Sequence, residues 1–172
     1  MIKNIFITGV PSSGKTTLIK KVISGLTYPA SGFYTEEERL DGRRCGFILK
    51  TLDGKSGYLG HENIQSEYFI RRYGVSIDNI ENIAVPSIVP SDDKIIILDE
   101  IGKMECFSEK FQSAALKALE SKNIVIGTIT LGGTSFIHKV KARDDIEIIE
   151  LTPENRDKLP DIILVKIAEL LL

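Results

Sequence analysis

The residues Gly9-Val10-Pro11-Ser12-Ser13-Gly14-Lys15-Thr16 have the spacing G-x-x-x-x-G-K-T, which suits one task, cradling a chain of phosphates. Gly9 and Gly14 permit backbone turns that a Cβ would block. The loop Val10-Pro11-Ser12-Ser13 then directs its N–H groups, which every residue but Pro11 carries, inward and makes a concave anion site. A helix beginning near Lys15 adds its positive dipole end and its unpaired amides, Thr17 among them. The Lys15 ammonium is expected on the β- and γ-phosphates and the Thr16 hydroxyl on Mg²⁺.

The run Lys94-Ile95-Ile96-Ile97-Leu98-Asp99-Glu100 is apolar, β-branched and ends in two carboxylates. Such runs form buried parallel strands, and in open α/β sheets ligands sit beyond the carboxyl ends of the strands. Asp99 is therefore expected on Mg²⁺, directly or through water, and Glu100 is placed to take a proton from an attacking water. A carboxylate base favours water as the nucleophile. Small-molecule kinases, by contrast, exclude water with a mobile lid.

These groups need a scaffold, and the flanking patterns supply one. Ile5-Phe6-Ile7 reads as the strand before the phosphate loop. Leu18, Ile19, Val22, Ile23 and Leu26 have helical spacing after it. Between about residues 32 and 59, Asp41-Gly42 and Asp53-Gly54 separate alternating segments, which predicts an antiparallel meander inserted into a βαβ pattern. Helices are expected over 65–73, 78–85 and 108–121, the last with Ser108 as N-cap and Phe111, Ala115, Leu116 and Leu119 on one face. Strands are expected over 123–129 and 146–151, a short helix over 135–143 between them, and an amphipathic helix at the end of the chain. The alternation favours a mainly parallel sheet with helices on both faces.

At 172 residues the chain is expected to form a single domain. Lys plus Arg number 22 and Asp plus Glu 24, a formal charge of −2, so nothing indicates a nucleic-acid partner. The chain opens directly into strand residues, which predicts no signal peptide, and no stretch suits a bilayer span. Cys45 and Cys106 lack Cys-x-x-Cys spacing, and His61 and His138 lack spaced partners. Free thiols in a cytoplasmic protein are expected, without a Cys or His metal site.

Several segments carry a more specific signal. The chain resembles the small nucleoside-triphosphatases described from thermophiles, a family that includes the human cancer-related nucleoside-triphosphatase. The resemblance rests on Gly9 to Leu18, Gly32-Phe33-Tyr34-Thr35-Glu36-Glu37, Asp99-Glu100-Ile101-Gly102-Lys103-Met104-Glu105 and Leu151-Thr152-Pro153-Glu154-Asn155-Arg156-Asp157. It implies a P-loop NTPase fold, a three-layer αβα arrangement similar to RecA and AAA-type cores. It also implies Mg²⁺-dependent hydrolysis of ATP, GTP, CTP, UTP and TTP to diphosphate and phosphate by a monomer or weak homo-oligomer. The segment 85–93 is shorter than the helix found in many members, and the loop lacks their additional glycine before Gly14.

The family pattern draws in further candidates. Lys103 follows the acidic pair and is a candidate for the γ-phosphate or for an ion pair with Glu105 or Glu100. Arg143 is a candidate arginine finger, in cis or from a partner subunit, or a partner of Asp144 or Asp145. Thr128 could bond the attacking water, Arg156 could border the base, and Phe33 and Tyr34 could stack on it or sit in the core. The competing functions are a P-loop kinase for a nucleotide or other small hydroxyl compound, with residues 32–59 as its lid, and a nucleotide switch with slow hydrolysis.

Overall fold

The computed structural model describes residues 1–172. The apolar runs form the centre of the sheet. β1 (Asn4–Thr8), β7 (Ile95–Ile101) and β8 (Val125–Ile129) pair in parallel, with β8 in the middle. β9 (Ile146–Glu150) lies beside β1 and β2 (Ala30–Leu40) beside β7, also parallel. Successive side chains point to opposite faces. Ile5, Ile7, Ile95, Ile97 and Ile126 pack with α1 (Lys15–Gly25) and α6 (Leu159–Leu170). Phe6, Ile96, Leu98, Val125 and Ile129 pack with α4 (Glu109–Glu120) and α5 (Ser135–Lys141). Both faces are covered, so the strands need no polar side.

The meander is continuous with this core. Residues Ala30 to Phe33 of β2 run parallel to β7, and from Phe33 onward β2 runs antiparallel to β3 (Arg43–Thr51). β4 (Ser56–His61) follows, then a short hairpin of β5 (Phe69–Ile70) and β6 (Tyr73–Val75). The sheet order is β5-β6-β4-β3-β2-β7-β8-β1-β9. Four pairings are parallel and four antiparallel, so the sheet is a parallel core extended by the antiparallel meander that the sequence predicts. The reason is the length of β2, which outruns β7 and offers its far half to β3. At the first hairpin Asp41 and Gly42 both have positive φ, 48° and 77°, the backbone a tight two-residue turn requires.

The helix expected over 65–73 is absent. The Ser66 hydroxyl accepts from the Tyr68 N–H at 3.0 Å, a local turn that competes with helix. Tyr73 is buried edge-on against Phe47, with ring centroids 5.2 Å apart, and this burial draws the segment into the sheet. The helix expected over 78–85 is present as α2 (Ile77–Asn79), a π turn at Ile80–Ala84 and α3 (Val85–Ser87). Ser108 caps α4 as expected, accepting from the Phe111 N–H at 3.1 Å.

Gly32 sits where β2 meets β7, at φ 118°, and a Cβ there would lie 1.9 Å from the Ile97 carbonyl oxygen. Gly32→Ala is therefore expected to cost about 3 kcal/mol or more in denaturant unfolding, from strain and the lost close approach. A loss within ordinary surface scatter would show that β2 can shift without harm.

Candidate active site

The phosphate loop follows β1 and opens onto α1. Gly14 is the residue before α1 and is left-handed, φ 98°, with no side chain capping the helix and no acidic residue in its first turn. The helix end therefore keeps its amides and dipole for an anion. Lys15 folds back over the loop, donating to the carbonyl oxygens of Gly9 at 3.1 Å and Val10 at 3.2 Å. The Ser13 hydroxyl within the loop and that of Thr8 just before it are buried without a hydrogen-bond partner, unmet polar groups beside an anion site.

Asp99 emerges near the end of β7 and is 1% exposed. Thr16 donates to its Oδ2 at 2.8 Å, and Thr128 on β8 donates to its Oδ1. Thr128, a candidate for the attacking water, thus directs its hydroxyl at Asp99. Burial raises the Asp99 carboxyl above the usual carboxylate range, while the Thr128 and Thr16 hydroxyls oppose that shift. Burial, and then the charge of Asp99, push Glu100 up to about 7. A third acid, Glu105, is 2% exposed; burial and then Glu100 hold it well above its ordinary value. Gly102 makes room for this crowd, since a Cβ there would lie 2.7 Å from Glu100 Oε1 and 2.8 Å from Glu105 Oε2. Glu105 enters the sequence reading only as an ion-pair partner, because burial is not a local property.

Pro11, Ser12, Gly14, Lys15, Thr16, Thr17, Asp99, Glu100, Lys103 and Glu105 line one cleft of about 760 Å³, which continues onto the meander and the β5–β6 hairpin. Three arginines absent from the sequence reading of the site stand there. Arg39 and Arg44 are bonded to Glu37, while Arg71, at the left-handed tip of the hairpin (φ 54°), makes no ion pair within 4.0 Å. Arg143 is elsewhere. It bonds Asp145 at 2.8 and 2.7 Å, just before β9 and at the end of the sheet opposite the phosphate loop. The reach across β1 and β9 separates it from the cleft of its own chain, so the expectation of a finger in cis gives way to the ion pair.

The remaining candidates fall outside the cleft lining. Phe33 is core, edge-on to Phe111 at 6.1 Å. Tyr34 lies under Lys20 at 5.3 Å. Arg156 and His138 are exposed. Cys45 and His61, separate in the sequence reading, meet Glu38 on the meander, with ligand-type atoms of all three within 4.8 Å of one another. That cluster lies outside the cleft lining.

The sequence matches the NTPase family profile over residues 4–164. It is 45% identical to the nucleoside-triphosphatase THEP1 of Thermotoga sp. (strain RQ2) over 157 residues, 90% of each chain. The chain belongs to the THEP1 family of nucleoside-triphosphatases. Its fold is similar to the crystal structure of THEP1 from Aquifex aeolicus, with a TM-score of 0.87 at 36% identity, over 95% of this chain and 98% of that one. It is also similar to the solution structure of a human cancer-related nucleoside triphosphatase, with a TM-score of 0.81 at 32% identity, over 97% and 98%. The P-loop NTPase fold and an NTP-hydrolysing activity follow from that membership. No helix is long and apolar enough to cross a membrane.

Thr128→Val keeps the side-chain shape and removes a donor from a buried carboxyl. Stability is expected to fall by about 1–3 kcal/mol in denaturant unfolding. An unchanged midpoint would show that Thr16 and the backbone satisfy Asp99 alone.

Proposed function

We propose that this chain hydrolyses nucleoside triphosphates with loose base selectivity, using Mg²⁺, Lys15, Asp99 and Glu100. The observation that carries the proposal is the meeting of Lys15, Thr16, Asp99 and Glu100 in one cleft, from two separate stretches of the chain, the start of α1 and the end of β7. The loop amides of residues 9–17, Pro11 excepted, and the Lys15 ammonium bind the phosphates. Thr16 and Asp99 would hold the metal. Their oxygens stand 2.8 Å apart, close to the edge of about 2.9 Å between neighbouring ligands of octahedral Mg²⁺. When bound there, Mg²⁺ would neutralise charge on the β- and γ-phosphate oxygens.

Glu100 takes a proton from water as its oxygen bonds to the γ-phosphorus. The bond from the γ-phosphorus to the bridging β-phosphate oxygen breaks and leaves the nucleoside diphosphate and inorganic phosphate. A carboxylate held near neutrality by burial is a better base than an exposed one. Lys103 and Arg71 line the same cleft, which supports them as cations for the charge on the transferring group. The elements of the site lie on or directly beside one sheet, which supports a single working domain. The free thiols Cys45 and Cys106 support a reducing, cytoplasmic setting.

One observation favours a second reading. Past the phosphate loop the cleft is floored by Phe47, Leu59, Ile70 and Tyr73 and rimmed by Arg39, Arg44 and Arg71, room and charge suited to a phosphoryl acceptor other than water.

Phosphate release from ATP, GTP, CTP and UTP with Mg²⁺ tests the first reading, with Lys15→Ala as the inactive control. Glu100→Gln is expected to keep nucleotide binding and to slow release by roughly 10²–10⁴-fold; a small effect would move the base elsewhere. Arg71→Ala is expected to lower kcat by about 10³-fold or more if its guanidinium meets the transition-state charge, with stability unchanged; full activity would remove it from the site. Nucleotide binding without phosphate release, relieved by an added hydroxyl acceptor, would favour the kinase reading.

A further inference from the structure

The far half of the meander holds three donor atoms that phosphate chemistry does not use. Strand register brings two of them together. Glu38 on β2 pairs with Gly46 on β3, and Gly46 pairs with His61 on β4, so Glu38 and His61 share a face on either side of a glycine. A Cβ at Gly46 would lie 2.6 Å from His61 Cδ2 and 2.9 Å from the Gly60 carbonyl oxygen. The imidazole therefore rests on bare backbone, with the Tyr58 ring at 5.0 Å.

Cys45, the neighbour of Gly46, would in a regular strand face the other way. The pairing skips it. Glu38 pairs with Gly46 and Arg39 with Arg44, a bulge that leaves Cys45 as the extra residue. Bulges of this kind re-aim a side chain, and here the thiol turns toward Glu38.

The resulting distances have a chemical meaning. His61 Nε2 lies 3.2 Å and Cys45 Sγ 3.6 Å from the same oxygen, Glu38 Oε2. A tetrahedral Zn²⁺ with ordinary bond lengths holds its nitrogen and oxygen ligands about 3.4 Å apart, and its sulfur and oxygen ligands about 3.6 Å apart. The donors already stand on two edges of that tetrahedron. Cys45 is buried, and the His61 and Glu38 side chains are 14% and 31% exposed, leaving one side open to solvent. Tyr58 donates to the other carboxylate oxygen, Glu38 Oε1, at 3.1 Å, the outer support that metal-binding carboxylates require. A thiolate, an imidazole and a carboxylate suit Zn²⁺ and not Mg²⁺.

We propose that Glu38, Cys45 and His61 bind one divalent transition-metal ion of the Zn²⁺ type, with water as fourth ligand, and so clamp β2, β3 and β4 together. Binding exchanges protons for the ion with no change of oxidation state. The Cys45 thiol releases its proton to solvent. The imidazole moves its proton from Nε2 to Nδ1, and the bond that Nδ1 accepts from the Asn63 N–H at 3.0 Å opens. The site needs neither nucleotide nor phosphate loop, so it stands or falls apart from the hydrolase reading.

Co²⁺ is the probe, added to the whole reduced chain without nucleotide or Mg²⁺. One equivalent is expected to produce the visible bands of tetrahedral Co²⁺ and a thiolate-to-cobalt band in the near ultraviolet, both bleached by Zn²⁺. Cys45→Ser and His61→Ala should lose this spectrum, Cys106→Ser should keep it, and Tyr58→Phe should bind about 10- to 100-fold more weakly. Should Cys45→Ser fail to fold, wild type answers the same question: Zn²⁺ is expected to protect Cys45 from iodoacetamide and to shift the Asn63 amide resonance. A featureless or octahedral spectrum, a spectrum that survives Cys45→Ser, or alkylation at an unchanged rate in saturating Zn²⁺ overturns the site.

Discussion

The active-site end of this molecule depends on one buried carboxyl. Asp99 lies between the hydroxyls of Thr16 and Thr128, and those three residues come from β7, the start of α1 and β8. A carboxyl out of water is costly unless hydrogen bonds or cations compensate. Here the two hydroxyls, the Thr35 backbone and the charge of Lys15 do so. The compensation works only while β1, β8 and β7 keep their parallel register. The same hydrogen bonds tie the start of α1, and with it the phosphate loop, to the centre of the sheet. The close approach needs Gly127, where a Cβ would lie 2.2 Å from the Leu98 carbonyl oxygen.

Around that carboxyl the cleft gathers charge of both signs. Asp99, Glu100 and Glu105 crowd together without a cation bonded to any of them, and each is raised by burial before any neighbour acts. Lys15, by contrast, spends its donors on the loop's own carbonyls. A triphosphate and its metal would relieve both conditions at once, giving the lysine an anion and the carboxyls a cation. The long β2 strand extends this logic. It leaves the core after Phe33 and carries Thr35, Glu36, Glu37 and Arg39 along the cleft wall, so the family segment Gly-Phe-Tyr-Thr-Glu-Glu is both a strand junction and a wall of the site.

What could be read from the chain alone follows a physical pattern. The phosphate loop, the acidic strand end, the Ser108 cap and the Asp-Gly hairpins are all local: backbone conformation and hydrogen bonding there depend on residues a few positions apart, so spacing carries the information. The segment 65–73 misled because its apolar spacing suits a helix, while Tyr73 gains more by burial against Phe47 from another strand. Arg143 misled because an arginine beside an aspartate looks alike at a catalytic site and at a strand entrance.

By itself, the sequence determined the phosphate loop, the acidic end of β7 and the family, since each rests on short runs with fixed internal geometry. Only the tertiary structure decided which arginines line the cleft, that Glu105 joins the acidic group, and that Glu38, Cys45 and His61 meet across three strands. Those facts depend on register, on a single bulge and on burial, which arise when distant segments pack and leave no spacing in the chain to read.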